Sequence, residues 1–353
     1  MRFGEHRADR NPRLLGFGVT VRCCYAGCVV GMEKLWAAYR SGASHSEFAE
    51  AGTTPDELFY VGLVALAKGD RDTGLAQIRA AARQEPDRLI FGECAYYLAQ
   101  LVDAKVADTT DVYFSPQAFS AFGRGGGNVE LYQRTHQALR ERYQSWQPAS
   151  LLDVGTGEGL GVLPALTEHV GRIDVLEPSS PRLAVVRRVL AERGLTYRAI
   201  NQTIAEFIAA AEQKPDSLDR WDLVQETFAM LSIPAPERIF ALRWLRERTR
   251  RLVLVEFDIP LAEHALHPKW FDYVVSRYEV GMGEYPGAYN LVRQGFLVPV
   301  LLGTLRPGAD KVHYEQTIHD WVHDLSVAGF SVPTDPEWVT GFWWGNAYLI
   351  EAE

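Results

Sequence analysis

The ten residues Leu151 to Leu160, LLDVGTGEGL, constrain this chain more than any other stretch. A short apolar run carries one acid, Asp153, then breaks into glycines at 155, 157 and 159 before a second apolar stretch from Gly161 to Leu166. That order predicts a strand, a tight turn and a helix start, the place where an α/β sheet binds a nucleotide-like ligand. A dinucleotide fingerprint needs G-x-G-x-x-G, but counted from Gly155 its third glycine would fall at Leu160. The spacing is D-x-G-x-G-x-G instead. Backbone without side chains lets a ligand lie against such a turn with no phosphate to cradle.

Strand-like runs at Ser150 to Val154, Arg172 to Leu176, Thr196 to Ile200, Leu223 to Gln225 and Leu252 to Phe257 alternate with helical stretches such as Pro181 to Arg193 and Pro236 to Arg248. This alternation implies a parallel sheet covered on both faces. The end differs: a helix, an AGF turn at Ala328 to Phe330 and an aromatic-rich run from Thr340 to Glu351 suggest two closing strands. Glu177 ends the second strand, 22 positions after Gly155. In a doubly wound sheet such an acid arrives beside the glycine turn, where it can accept hydrogen bonds from two ribose hydroxyls.

The turn, Glu177 and the closing pattern together resemble the class I S-adenosylmethionine-dependent methyltransferases, from about residue 150 to residue 353. The resemblance implies an α/β fold: a Rossmann-like sheet, mostly parallel with an antiparallel last strand, here preceded by an all-helical N-terminal extension. It implies S-adenosylmethionine as cofactor, with Gly155, Gly157 and Gly159 forming the binding turn. Asp153 would order that turn and face the methionine amino group, directly or through water. Gln202 follows the third strand, where family members often place an Asp that meets the adenine amino group. Here it is an amide, and Glu206 competes for the role.

Residues 55 to 104 read as paired helices, PDELFYVGLVALAKGD running into RDTGLAQIRAAARQEPD, with breaks at Gly69-Asp70 and Pro86-Asp87. The small residues Ala65, Gly74, Ala76 and Ala80 permit close packing, and the pattern resembles a tetratricopeptide-type hairpin. With one further helix from Phe91 to Lys105 it is too short for a binding solenoid. A helical cap on the catalytic region is the favoured reading, and docking or homodimer formation through these helices is the other. Residues 106 to 127 read as a loop ending in GRGGGN, which can act as a mobile lid or as a linker. Asn128 is a good N-cap for the helix that follows and is grouped with the cofactor residues as part of that lid. Residues 1 to 31, with Cys23, Cys24 and Cys28 in CCYAGC, read as a disordered leader before a helical region 32 to 127 and a catalytic region 128 to 353.

A net charge of -9 argues against nucleic acid as a partner. No apolar run reaches the roughly 18 residues of a membrane span. The stretch around Arg22 is a poor signal peptide, so a cytoplasmic location is expected. Four cysteines in 353 residues do not make a disulfide scaffold. No metal site is expected, although His319 and His323 lie one helical turn apart.

For the chemistry, Glu226 reaches the carboxyl edge of the fourth strand as a candidate general base or ammonium holder, or else as a helix cap or Arg partner. Asp258 is a weaker equivalent. The insertion from 259 to 306 carries Trp270, Phe271, Tyr273, Tyr278, Tyr285 and Tyr289. In this fold, insertions after the fifth strand commonly form a substrate lid. Its aromatics can form an apolar pocket facing a sulfonium cation, with Tyr285 and Tyr289 preferred, or simply pack as core. The leading function is methyl transfer to a small molecule, with secondary metabolism as its setting. Cyclisation of the cofactor's aminobutyrate arm to azetidine-2-carboxylate is the enzymatic alternative. A non-catalytic scaffold using the helical hairpin is the other.

Overall fold

Five parallel strands and a closing antiparallel pair make one sheet. β1 (Ser150–Val154), β2 (Arg172–Leu176), β3 (Thr196–Ile200), β4 (Trp221–Thr227) and β5 (Thr249–Asp258) run parallel. β6 (Glu337–Gly341) and β7 (Asn346–Ala352) pair antiparallel, β7 against β5, giving the order β3-β2-β1-β4-β5-β7-β6. The order reverses at β1, flanked by β2 and β4, so the crevice outside its carboxyl end is the topological switch point where ligands bind in open α/β sheets. The computed structural model describes residues 25–43, 48, 53–104, 115–213, 219–261, 263–308 and 313–353.

Local chemistry sets the helix ends. α1 is Tyr25–Arg40, α2 Pro55–Ala67, α3 Arg71–Gln84, α4 Leu89–Ala104, α5 Pro116–Gly123 and α6 Asn128–Trp146. Thr54 and Glu57 form a capping box on α2, and Asp70 caps α3 by accepting from the Thr73 amide. The α2–α3 hairpin is tight because a Cβ on Gly74 would lie 2.7 Å from Leu66. On the sheet lie α7 (Ser180–Glu192), α8 (Ile204–Glu212), α9 (Ala235–Arg246) and α12 (Ile318–Val327); between β5 and α12 lie α10 (Pro268–Gly283) and α11 (Val298–Thr304).

Three apolar cores form among the described residues. One face of the sheet (Leu151, Leu223, Val253) packs on Leu139 of α6 and Val186 of α7. The other (Leu152, Val224, Leu254) packs on Phe207, Leu242 and Trp321. The third core joins the N-terminal helices to the insertion, Phe59, Ile78 and Phe91 meeting Phe271 and Leu297. No helix among the described residues is long and apolar enough to cross a membrane.

Several expectations are corrected. Residues 25–31, expected within a disordered leader, are helical and continuous with α1, which contains Cys28. Cys23, Cys24 and residues 1–24 lie outside the described residues, as do 105–114. Residues 116–123, expected as loop, form α5, because Ser115 caps the Ala118 amide and Pro116 suits the first turn. Residues 161–165 make a continuous run of turns instead of the expected helix start. Pro164 there has no amide to donate to a ladder.

Two carboxylates tie the insertion to α4. Glu279 of α10 accepts from the Leu89 and Ile90 amides at 2.9 and 3.0 Å, capping the positive end of α4. Glu93, 3% exposed, pairs with Arg293, 5% exposed, at 2.9 Å. Arg293 also donates to the Met282 carbonyl, and Gln294 donates to Glu93. Deleting one charge strands the other in an apolar interior, so Arg293→Met should cost about 3–5 kcal/mol in denaturant unfolding. The double variant Glu93→Leu/Arg293→Met should recover most of that loss. A single-variant cost below about 1 kcal/mol would show that the pair does not hold the insertion in place.

Candidate functional site

β1 hands Asp153 to a turn in which Gly155, Gly157 and Gly159 have φ of +69°, +56° and +77°. These are left-handed values that side chains disfavour. The three glycines also differ in surroundings. A Cβ on Gly155 would lie 2.3 Å from that of Ala229, and one on Gly159 would lie 2.5 Å from Leu163. A Cβ on Gly157 would meet nothing within 4 Å. Two glycines serve close packing, and Gly157 exposes bare backbone to open space.

Glu177 lies beside that opening, 4% exposed. Its Oε2 accepts from the Gly157 amide and its Oε1 from the Ser179 amide, both at 2.9 Å. Asn201 donates its side-chain amide to the Glu177 and Pro178 carbonyls, securing the segment from below β3. Sequence reasoning missed Asn201. Gln202, the predicted adenine contact, is the partly exposed residue next to it. Glu206 is exposed and completes a capping box with Thr203 at the start of α8, which explains the acid without a ligand.

Asp153 anchors a polar chain inside the apolar core. Tyr143 of α6 donates to Gln225 Oε1, and Gln225 Nε2 donates to Asp153 Oδ1 at 2.9 Å. Burial pushes the Asp153 carboxyl up to about 7, the Glu177 charge adds to the rise, and the hydrogen bond from Gln225 opposes it. Tyr143 and Gln225 were not singled out from the sequence. The signal was present as a Gln on a strand whose neighbours, Val224 and Leu223, are apolar.

The segment after β4 closes the turn from the side: Ala229 lies against Gly155, and Thr227 would be 3.2 Å from a Cβ on Gly161. α5 and α6 cover it. Ser120 and Arg124 both bond Glu158, inside the glycine turn. Burial lowers the pKa of His136, and its hydrogen bond through Nε2 to the Leu160 carbonyl opposes that shift.

The Gly-rich segment is anchored. Gly127 donates to Glu284 Oε2 at 2.8 Å, and a Cβ on Gly126 would lie 2.9 Å from the Tyr285 ring. The glycines there permit close approach to the end of α10. Asn128 does not cap α6 through its side chain; it is buried, donating to the Phe122 carbonyl and to the Tyr285 hydroxyl. Tyr285, 6% exposed, donates to the Phe122 carbonyl at 2.9 Å, a packing role that differs from the expected pocket. Tyr289 is 49% exposed and stacks on Tyr96 at 4.1 Å, so the two tyrosines do not share a pocket. Trp270, Phe271 and Tyr278 are core residues of the insertion.

Glu226 is also corrected. Its side chain lies on the sheet face opposite Asp153, fully buried, and Oε1 accepts from the Ala229 and Met230 amides, capping the turn after β4. Glu256, also fully buried, accepts from the Leu231 amide. The second oxygens of both acids have no hydrogen-bond partner among the described residues. Asp258 caps α12 by accepting from the Ile318 amide at 2.9 Å. His319 and His323 are exposed on α12, and no cluster of three metal-ligating side chains occurs among the described residues.

No family model matches the chain, and no curated protein matches it. Among solved structures, the mitomycin 7-O-methyltransferase MmcR aligns over 92% of this chain and 94% of its own at 14% identity, with a TM-score of 0.45. Magnesium protoporphyrin IX methyltransferase (ChlM) from Synechocystis PCC 6803 with bound SAH aligns over 69% and 96%, at 14% identity and a TM-score of 0.45. A structure described as an O-methyltransferase of Nostoc punctiforme PCC 73102 aligns over 62% of this chain and only 55% of its own, at 16% identity and 0.38. These are distant likenesses of architecture, and the assignment of fold rests on the strand order itself.

Burial raises Glu226 well above the carboxylate range and pushes Glu256 up to about 8. A raised folded-state pKa stabilises below the unfolded value and loses that contribution as pH rises through the folded one. Glu256→Gln should therefore flatten the fall in melting temperature expected of the parent between about pH 5 and pH 8, followed by circular dichroism. Identical pH profiles would mean that the pair does not titrate as described.

Proposed function

We propose that this chain is an S-adenosylmethionine-dependent methyltransferase acting on a small molecule, with a setting in secondary metabolism. One observation carries the reading: at the switch point of the sheet, the buried Glu177 carboxylate bonds the amide of Gly157, the glycine left open to solvent space. That donor and acceptor set fits a ribose-bearing cofactor. Each Glu177 oxygen keeps lone pairs beyond its backbone bond and can accept from ribose hydroxyls. Asp153 suits a cationic amino group, whose approach favours the ionised carboxylate. Gln202 is the residue available toward an adenine ring.

When bound, S-adenosylmethionine supplies a methyl group activated by a sulfonium centre. The protein's part is alignment and exclusion of water. α5, fastened over the turn through Glu158, provides the cover, and the Gly127–Glu284 bond fixes its far end. A covered crevice in a chain of net charge -9 supports a small acceptor over a nucleic acid. A homodimer through the N-terminal helices would have to use their outer faces, where Tyr96 is exposed.

The deciding experiment incubates the purified protein with S-adenosylmethionine, with and without a panel of small acceptors. S-adenosylhomocysteine formed only with acceptor is the expected result. Methylthioadenosine released without acceptor would replace methyl transfer by cyclisation, and failure to bind the cofactor would leave the scaffold reading. Glu177→Ala should weaken S-adenosylhomocysteine binding by about 1–3 kcal/mol in calorimetry; unchanged affinity would refute the ribose role.

The Asp153 carboxyl adds a pH signature. Its folded pKa of about 7 lies above the ordinary 3.8, so its contribution to the stability of the ligand-free protein is lost as pH rises toward and past 7. A bound ammonium reverses that preference, so ligand binding should release a proton near pH 6.5 and tighten up to pH 8. Buffers of different ionisation enthalpy will reveal the release, which Asp153→Asn should abolish.

A further inference from the structure

A row of aromatic rings starts at the glycine turn and runs along the carboxyl edge of the sheet. Phe228 stands between Thr227, packed against Gly161, and Ala229, packed against Gly155 of that turn, and has a left-handed φ of +54°. For a bulky residue this is a strained conformation that its surroundings must enforce. Its ring stacks on Phe257 of β5 at 4.5 Å and 16°, and Phe257 stacks on Phe342 at 5.6 Å and 20°. Phe342 meets Trp343 at 5.3 Å. The Asp258–Asn346 register brings the turn carrying both residues to the end of β5.

Two further observations separate this row from ordinary packing. The three phenylalanines are only partly buried, and each lies between cores: Phe228 touches both sheet-face cores, Phe342 touches one of them and the helical core, and Phe257 touches all three. Trp343, 8% exposed, has an indole Nε1–H with no hydrogen-bond partner among the described residues. A buried donor without an acceptor costs free energy, and a ligand oxygen would recover it. Phe122 of the α5 cover stands edge-on to the same indole at 6.5 Å, so the row lies beneath the cover.

We propose that the acceptor is a planar aromatic molecule of more than one ring, lying along the Phe228–Phe257–Phe342 row with the group to be methylated at the Phe228 end and an oxygen acceptor at Trp343 Nε1–H. The inference rests on the methyltransferase reading. Parallel rings present a uniform apolar edge to a flat ligand, favouring offset or edge contacts that a saturated ring system of the same carbon count cannot make. The donor at the far end fixes which way the ligand points.

The test titrates 2,6-dihydroxynaphthalene and its saturated counterpart decalin-2,6-diol into the full chain saturated with S-adenosylhomocysteine, by calorimetry. The aromatic diol should bind at least about tenfold more tightly, a difference within the range of aromatic pair energies. Phe257→Leu should erase that preference, and Trp343→Phe should weaken the aromatic diol several-fold while S-adenosylhomocysteine affinity serves as the control. Should either variant fail to fold, Phe342→Leu supplies the same comparison. Equal affinities for the two diols, or no binding of either to the S-adenosylhomocysteine complex, overturn the aromatic acceptor and leave the cofactor reading standing. Failure of S-adenosylhomocysteine to bind overturns both.

Discussion

Two amides, those of Gly155 and Thr156, converge on the carbonyl of Leu176 at 2.8 and 3.0 Å. This small interaction fixes the turn after β1 to the end of β2, and the rest of the site is arranged around it. It carries Glu177, the next residue, to the Gly157 amide. It also holds Gly155 where Ala229 can press against it, which brings the end of β4 into the same crevice. Left-handed backbone at three positions is the condition for all of this, and only glycine meets that condition without strain.

The sheet was legible because its strands are short apolar runs punctuated by helices, and all five predicted parallel strands appear, with β4 and β5 longer at their ends. Glu177 was legible because fold and spacing alone bring it to the turn. Glu226 takes the capping alternative for a physical reason: strand period two sends it to the face opposite Asp153, and the tight turn after it uses its carboxylate as a cap. Tyr285 and Asn128 also carried true signals with the wrong destination. They meet each other, 157 residues apart, and no local pattern announces such a pair. Gln225 and Tyr143 escaped notice because Gln225 stands in the polar end of β4, beside Glu226 and Thr227, and its partner lies 82 residues away.

The N-terminal helices and the insertion after β5 form one structure assembled from distant parts of the chain. Glu279 caps α4, Glu93 holds Arg293, and the Tyr60 hydroxyl donates to the Leu266 carbonyl. What resembles a tetratricopeptide hairpin in sequence therefore spends its apolar inner face within its own chain. These contacts also anchor the cover over the glycine turn, since the Gly-rich segment leans on Glu284 and Tyr285 at the end of α10.

That division of the third core has a consequence for how the chain is made. Phe59, Ile78 and Phe91 leave the ribosome well before Phe271 and Leu297, with the whole sheet up to β5 between them. At ordinary rates of synthesis the wait lasts on the order of ten to forty seconds. Through that interval the helices can pair with one another but their final apolar partner does not yet exist. The nascent protein thus carries an unpartnered apolar surface for as long as the ribosome takes to build the sheet.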